Sequence, residues 1–403
     1  MSGRPAETEF SKISMKSMVA AVETSTNPRM LSMPTTNRAN NLPRPLGNSK
    51  VLQALRALAA LLVALYHVNH SIFGLPKYWL DRPFGDTFEF GHAGVEFFFV
   101  LSGFIIFAAH RRDIGQQSRF LSFAWKRSRR IYPVYWLMLL IVVPVYFLLP
   151  SFGTGMERNL SVLVDSVTLL HLFGNGVVMT VSWTLFHEIL FYAIFSLLIL
   201  DRRLGTLALG AWMAASIVAL FMGSALSPQL AFYFSPMHLL FGMGMGAAWL
   251  IGRSNIPAPW LVMAVGLALF FGAGAEEVAG GHLSADMLVV LYGLGSSLIM
   301  LAALELERGG RLRVPRVLVF LGNASYSIYL VHFIAMSVLA KVALSLIGTA
   351  TVPHSIIYLG LVAGSVLAGA AYHVAVEVPL LALLGQRSAP ARIVVTRSVL
   401  RPS

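Results

Sequence analysis

The chain has 403 residues, of which 57% are hydrophobic and 12% are charged, and its formal net charge is +12. Because an ordinary soluble domain contains about 25% charged residues, this composition excludes a soluble globular protein and indicates a membrane protein. The sequence contains no cysteine, which excludes disulfides, a thiol nucleophile and thiolate metal sites.

The first fifty residues are rich in Ser, Thr, Asn, Pro and Met and contain no apolar run long enough for a secretion signal. This composition predicts a disordered cytoplasmic tail over 1–50, part of which could precede the true start codon. No Pro/Ser-rich linker or internal repeat divides the remainder. We therefore expect one membrane domain over 51–384 and a short basic cytoplasmic tail over 385–403.

Apolar runs of about 17 to 25 residues predict an all-α bundle of about ten transmembrane helices. A further apolar run, around 161–181, contains Asp165, His171 and two glycines, which favour a membrane-surface or re-entrant segment. The ten predicted spans are 51–72, 92–110, 131–150, 184–200, 204–224, 231–252, 258–275, 287–304, 318–340 and 355–376.

Basic residues are distributed unevenly between the two sides of this predicted bundle. With the N-terminus in the cytoplasm, most of the 30 Lys and Arg residues lie in inner segments, and the outer loops contain Lys77, Arg82, Arg158 and Lys341. This asymmetry follows the positive-inside rule and predicts that both termini are cytoplasmic. Anionic membrane lipids suffice to balance the charge, so no nucleic-acid partner is expected.

The charged residues that remain inside the predicted spans are Arg56, Glu96, Glu188 and Glu377. Ionisable groups are costly in a bilayer, so each is by default a functional candidate. Arg56 and His67 share one face of the first helix, because eleven positions correspond to about three turns, or roughly 16 Å along the axis.

Predicted depth sorts the embedded polar residues into two tiers. Arg56 and Glu377 form the inner tier, where Arg56 can snorkel or form a purely structural ion pair with Glu377. The outer tier contains His67, Glu96, Glu188 and His332. If these four side chains line one solvated cavity, each avoids the roughly 2.5 to 3.5 kcal/mol that a charge facing lipid costs. The alternative for His67 is that it is only a hydrogen-bonded packing group.

Arg127 and Arg130 lie three positions apart where the third predicted span begins. Two guanidinium groups at this spacing share a helix face and can grip a phosphate or pyrophosphate, although positive-inside anchoring also explains them. The adjacent His187 and Glu188 point about 100° apart on a helix, so no metal site is predicted.

From these residues alone, an enzyme and a proton-coupled transporter of polysaccharide or lipid remain equally good interpretations. A transporter would show Gly- or Pro-broken helices in two matching halves, whereas the glycine run 242–246 has no counterpart elsewhere and favours close helix packing. A non-enzymatic scaffold would leave the buried charges unexplained.

Six sequence blocks in order resemble the signature blocks of the acyltransferase 3 family of integral membrane acyltransferases. The short cytoplasmic start and the ten spans are most similar to its exopolysaccharide/O-antigen O-acetyltransferase group. The blocks are RALAALLVALYH from Arg56, GHAGVEFFFVLSGFII from Gly91, KRSRRIYPVYW from Lys126, WTLFHEILFY from Trp183, LGNASYSIYLVH from Leu321 and VEVP from Val376.

The resemblance implies an enzyme of the bacterial inner membrane that transfers an acyl group to a sugar hydroxyl. The implied donor is cytoplasmic acyl-CoA, usually acetyl-CoA, with no metal cofactor. The implied acceptor is an exopolysaccharide, an O-antigen or a lipid-linked glycan. The identity of the glycan, the acyl chain and the oligomeric state stay open.

The resemblance also implies roles for individual residues. His67 would deprotonate the acceptor hydroxyl, held in one tautomer by Glu96 or Glu188, or would alternatively carry the acyl group covalently. The implied catalytic residues are His67, Glu96, Glu188, Ser102 and His332. The implied donor-binding residues are Arg56, Arg127, Arg130 and Glu377, and the implied substrate-binding residues are Trp183, Tyr192 and Tyr329.

One position departs from the family pattern. Many members have a serine where this chain has Phe186, which leaves open only the details of the polar network around it.

Overall fold

The computed structural model describes residues 49–150, 153–222, 225–347 and 352–385, and these residues form helices, turns and loops without a strand. The predicted all-α class is therefore confirmed. The predicted tails over 1–50 and 385–403 lie almost entirely outside the described residues.

Fourteen α-helices are described, together with a few single-turn 3₁₀ segments and one π-helical turn. They are α1 Lys50–Ser71, α2 Ala93–His110, α3 Phe120–Leu148, α4 Leu160–Thr168, α5 Trp183–Leu200, α6 Arg202–Met222, α7 Pro228–Tyr233, α8 Met237–Ile251, α9 Pro259–Val278, α10 Ala285–Arg308, α11 Arg316–Asn323, α12 Ser325–Ile347, α13 His354–Tyr372 and α14 Val378–Leu383. The π-helical turn, His373–Glu377, joins α13 to α14.

Ten helical segments of the described chain are long and apolar enough to cross a membrane, as the sequence predicted. The protein is therefore a multi-pass membrane protein. The segments are Lys50–Ser71, Glu89–His110, Gln117–Leu148, Thr180–Leu200, Arg202–Met222, Pro228–Ile251, Pro259–Val278, Ala285–Arg308, Ser325–Leu346 and His354–Leu383.

The third and the ninth predicted spans have wrong boundaries, the sixth is interrupted between α7 and α8, and the tenth extends to Leu383. The third was expected to begin at 131, but α3 already begins at Phe120, so Arg127 and Arg130 lie within a continuous helix. The apolar run begins later than the helix, because the first part of α3 contains basic residues. Their side chains line a cavity and do not face lipid. The ninth was expected over 318–340, but the helix is interrupted at Ala324 between α11 and α12.

The apolar run around 161–181 is not one of the spans, as its polar residues predicted. It contains the short helix α4, whose last carbonyls accept hydrogen bonds from the side chains of Tyr132, Tyr135 and Trp136 on α3. Asp165 accepts hydrogen bonds from the backbone N–H groups of residues 172–174. These contacts satisfy backbone groups that a helix end leaves unpaired.

The glycine run 242–246 allows α8 to pack closely against α2, as its spacing predicted. A Cβ at Gly244 would lie 2.0 Å from the backbone oxygen of Val100, and one at Gly103 would lie 2.1 Å from that of Phe241. No side chain fits at either position, so the two backbones touch directly. This contact fixes α2, which carries Glu96 and Ser102, inside the bundle.

Candidate functional site

A cavity of about 370 Å³ lies between α1, α2, α3, α5 and α12. Its basic lining residues are Arg56, Lys126, Arg127, Arg129 and Arg130, and Glu188 is the acidic residue among the lining side chains. Within the described residues, none of the five basic side chains forms an ion pair with a carboxylate. We call this space the cationic cavity, since its positive charge is left largely uncompensated.

Arg127 is held in the wall of the cationic cavity by a chain of hydrogen bonds. Its Nη2 lies 2.9 Å from Nε2 of His110, and Nδ1 of His110 lies 2.8 Å from Oδ2 of Asp113. An arginine can only donate, so Nε2 of His110 accepts and Nδ1–H donates to the carboxylate. Sequence reasoning did not single out His110 and so missed this positioning contact.

Arg56 lines the cationic cavity and forms no hydrogen bond or ion pair in the part of the chain that is described. The predicted pairing of Arg56 with Glu377 is therefore wrong. Glu377 accepts hydrogen bonds from Ser327 at 2.6 Å and from Nδ1 of His373 at 2.7 Å. His373 lies four residues before Glu377, a spacing at which side chains on a helix meet, and Glu377 does not line the cavity.

Glu188 reaches the cationic cavity together with two hydroxyl groups. Ser102 donates to Oε1 of Glu188 at 3.1 Å, and the Tyr192 hydroxyl donates a short hydrogen bond to the same oxygen. The prediction that Glu188 shares a solvated cavity with His67 is wrong, because His67 does not line this cavity.

Ser325 gives the cavity wall an unpaired hydroxyl group. It is 1% exposed, lines the cavity, and its Oγ has no hydrogen-bond partner within the described residues. Trp183, expected at the substrate, does not line the cavity and instead packs edge-on against His187, with ring centroids 5.6 Å apart. The cavity wall therefore contains Tyr192 and Tyr329 of the three predicted substrate contacts.

His67 and His332 form a pair, with Nδ1 of His67 3.2 Å from Nε2 of His332. Nδ1 of His332 lies 2.7 Å from the carbonyl oxygen of Tyr329, and Nδ1 of His67 lies 2.9 Å from that of Val63. Carbonyl oxygens only accept, so both Nδ1 atoms carry hydrogen. Nε2 of His332 then accepts from His67, and Nε2 of His67 keeps its lone pair.

The expected tautomer partners of His67 were Glu96 and Glu188, and that expectation is wrong. A backbone carbonyl and a second histidine hold the ring instead. Glu96 instead contacts a different histidine, since its Oε1 is 3.3 Å from Nδ1 of His92. The spacing of four residues between His92 and Glu96 is a signal that sequence reasoning passed over.

His92 also contacts a second carboxylate. Its Nε2 lies 2.7 Å from Oε1 of Glu277, whose other oxygen accepts from the Tyr292 hydroxyl at 2.6 Å. His92 thus contacts a carboxylate through each of its ring nitrogens. We call Glu96, His92, Glu277 and Tyr292 the outer cluster.

Neither His67 nor His332 lines the cationic cavity. Tyr329 connects the two regions, because it lines the cavity and its ring centroid lies 5.8 Å from that of His332. Its hydroxyl group is hydrogen bonded to Oγ1 of Thr184 at 3.0 Å and donates to the carbonyl oxygen of Val181 at 3.1 Å. The residues of the predicted outer tier thus belong to three separate groups: the cationic cavity, the histidine pair and the outer cluster.

Comparison with known proteins identifies the family of this chain. The family described as an acyltransferase domain, acyltransferase 3, matches residues 50–373, which include nearly all of the described helices. The chain belongs to the acyltransferase 3 family. It is therefore an acyltransferase, and the predicted family is confirmed by a match that includes the first five of the six sequence blocks.

Two curated relatives of this acyltransferase are similar over much of their length. The exopolysaccharide production protein ExoZ of Rhizobium meliloti (strain 1021) is 33% identical over 277 residues, which are 65% of this chain and 82% of ExoZ. The acyltransferase MdmB of Streptomyces mycarofaciens is 27% identical over 388 residues, which are 83% of this chain and 92% of MdmB. No solved structure matches the chain.

Proposed function

We propose that this acyltransferase moves an acyl group, acetyl in the simplest case, from cytoplasmic acyl-CoA to a sugar hydroxyl of an exopolysaccharide, O-antigen or lipid-linked glycan. The observation that carries the proposal is the cationic cavity, whose arginines form no ion pair with a carboxylate of the described residues. An acyl-CoA is an acyl donor that carries several phosphate charges, and guanidinium groups bind phosphate oxygens in pairs. The similarity to ExoZ supports a glycan acceptor.

In the proposed complex the donor phosphates lie against Arg127 and Arg130, with Arg56 beside them. The thioester then extends toward Ser102 and Ser325. Ser325 supports this arrangement, since its buried hydroxyl lacks a partner and can donate to the carbonyl oxygen of the donor. A hydroxyl that donates there stabilises the oxyanion that forms during attack on a thioester.

His67 acts as the general base in this proposal. Its Nε2 lone pair takes the proton of the acceptor hydroxyl, the hydroxyl oxygen bonds to the thioester carbon, and the carbon–sulfur bond breaks. The thiolate of CoA leaves and finally receives the proton. His332 holds His67 by accepting from its Nδ1–H, which keeps Nε2 available.

The covalent alternative uses the same atom. Nε2 of His67 would attack the thioester, CoA would leave, and the acceptor hydroxyl would then take the acyl group from the imidazole. Both routes require Tyr329 to move, because this side chain lies between the cavity and His332. Trapping with labelled acetyl-CoA alone distinguishes them: a labelled protein supports the relay, and strict dependence on both substrates supports direct transfer.

The proposed setting is the bacterial inner membrane, with both termini and the basic end of the cavity in the cytoplasm. The support is the positive-inside distribution of Lys and Arg, which gathers on one side of the ten spans. In this orientation the donor enters from the cytoplasm, and the histidine pair and the outer cluster lie nearer the other side.

The test measures CoA release and ester formation by purified protein with acetyl-CoA, longer acyl-CoAs and candidate glycans. We expect acetyl-CoA to support transfer and Arg130→Gln to weaken donor affinity by about 10- to 100-fold, the loss of one charge-assisted hydrogen bond. Arg311→Gln, which removes an arginine outside the cavity, is the matched control. Transfer from a donor without CoA, with no reaction of any acyl-CoA, would refute the proposal.

A further inference from the structure

A second concavity, of about 430 Å³, lies apart from the cationic cavity and shares no lining residue with it. Its arginines come from the turn after α2, the start of α6 and the turn after α8, so three spans end around it. Phe107, Ile114 and Trp249 complete its lining. We call it the arginine pocket, after Arg111, Arg112, Arg202 and Arg253.

The charge of the arginine pocket is not balanced by any ion pair in the part of the chain that the structure describes, and the nearby acids are engaged elsewhere. Asp113 is bound to His110, and Asp201 accepts from the backbone N–H of Leu204 at 2.7 Å. Four guanidinium groups that converge without a carboxylate repel one another, so a bound anion would stabilise them.

The shape of the pocket is held by specific contacts. The turn after α2 is fixed by the backbone N–H of Gly115, which donates to the carbonyl oxygen of Leu198 at 2.9 Å. A Cβ at Gly252 would lie 2.8 Å from Nη1 of Arg111, so the glycine leaves room for that guanidinium group. Arg253 lies over the ring of Trp249, 4.6 Å from its centroid.

We propose that the arginine pocket binds the headgroup of an anionic phospholipid with two phosphate groups, a cardiolipin-type lipid. Four arginines provide two guanidinium groups for each phosphate, and each guanidinium can donate two parallel hydrogen bonds to phosphate oxygens. Basic pockets between spans at the membrane surface suit such headgroups. A lipid source is favoured over a CoA phosphate because the pocket is separate from the cationic cavity and Trp249, 48% exposed, forms its rim.

The experiment compares the full-length protein with the double variant Arg111→Gln/Arg253→Gln in nanodiscs and by native mass spectrometry. The matched control is Arg311→Gln/Arg313→Gln, which removes two arginines outside both cavities. We expect wild type and control to retain added cardiolipin in preference to phosphatidylcholine, and the pocket variant to bind it about 30-fold more weakly. Equal retention by pocket variant and control would overturn the proposal.

A second arm tests the other source of phosphate. Affinities for CoA and 3′-dephospho-CoA should be unchanged in the pocket variant, whereas a selective loss for CoA would assign the pocket to the donor and overturn the lipid proposal. If the glutamine variant does not fold, Arg111→Lys/Arg253→Lys keeps the charge and loses the paired donors. It should then bind cardiolipin several-fold more weakly than wild type, and unchanged binding would count against the site.

Discussion

The cationic cavity and the outer cluster both contain ionisable side chains, but these are without ion pairs among the described residues in the cavity and have partners in the cluster. In the cavity, Arg56 and its basic neighbours line open space without forming an ion pair among the described residues. In the outer cluster, Glu96 and Glu277 each contact His92, and Tyr292 donates to Glu277. A charged side chain that has a partner within the protein stabilises the structure, whereas one that has no partner in a cavity is available to bind a ligand.

The histidine pair lies between these two states. His332 uses both ring nitrogens, one to the Tyr329 carbonyl and one to His67, while His67 keeps Nε2 unoccupied within the described residues. The comparison therefore supports the proposed division, with donor binding in the cavity, chemistry at the free nitrogen of His67, and structural support from the outer cluster. Four substitutions test that assignment.

The largest expected effect is that of His67→Ala. General acid–base catalysis contributes about 10²- to 10⁴-fold, so turnover should fall by that factor. Donor affinity should stay within about 3-fold of wild type, because His67 does not line the cavity. Initial rates and CoA binding measure the two quantities separately.

The matched histidine control is His354→Ala, which removes a histidine bound to Asp81 at the protein surface. It should leave turnover unchanged. Wild-type turnover in a folded His67→Ala protein would show that the free nitrogen has no catalytic role.

The next effect tests how the cavity is positioned. His110→Leu removes the acceptor that holds Arg127, so KM for the donor should rise by about 5- to 10-fold, the effect of one lost hydrogen bond, with kcat nearly unchanged. His110→Gln, which keeps an acceptor, should recover part of the affinity. A fall in kcat without a change in KM would contradict a positioning role.

Tyr329→Phe should have a smaller effect. It removes the hydroxyl bonded to Thr184 and Val181 and leaves the ring, so the barrier between cavity and histidine pair should loosen. We expect hydrolysis of acyl-CoA without acceptor to rise about 2- to 5-fold relative to transfer, consistent with a hydrogen bond of about 1 kcal/mol. Tyr326→Phe, which breaks a hydrogen bond to Ile131, is the control. Equal ratios in both variants would argue against a barrier.

The smallest effect on activity is expected in the outer cluster. Glu277→Gln weakens its bonds to His92 and Tyr292, so the free energy of unfolding should fall by about 1 to 3 kcal/mol. Turnover at a temperature where the variant is folded should remain within about 3-fold. A hundredfold loss of turnover at unchanged stability would move the outer cluster from support to chemistry.

The sequence was sufficient for the features that depend on apolarity and charge. Runs of apolar residues located the ten spans, Asp165 and its neighbours excluded an additional one, and the glycine run indicated the contact of α8 with α2. The same reasoning placed Arg127 and Arg130 on one face, and both line the cavity.

The partners of individual polar groups could not be predicted in the same way. Position in the chain gives the depth of a residue, but the rotation of a helix and the reach of side chains decide what it contacts. Glu188 and His67 were expected to share a solvated cavity, yet Glu188 lines the cationic cavity and His67 does not. An ion pair with Arg56 was one reading of Glu377, but its carboxylate is bonded to Ser327 and His373.

The hydrogen-bonded Tyr329 has a consequence for the membrane as a whole. If donor and acceptor arrive from opposite sides, a continuous file of water between the cavity and His67 would conduct protons. The aromatic ring and its bonded hydroxyl interrupt such a file. An enzyme built in this way can work in an energised membrane without discharging the gradient that the cell maintains across it.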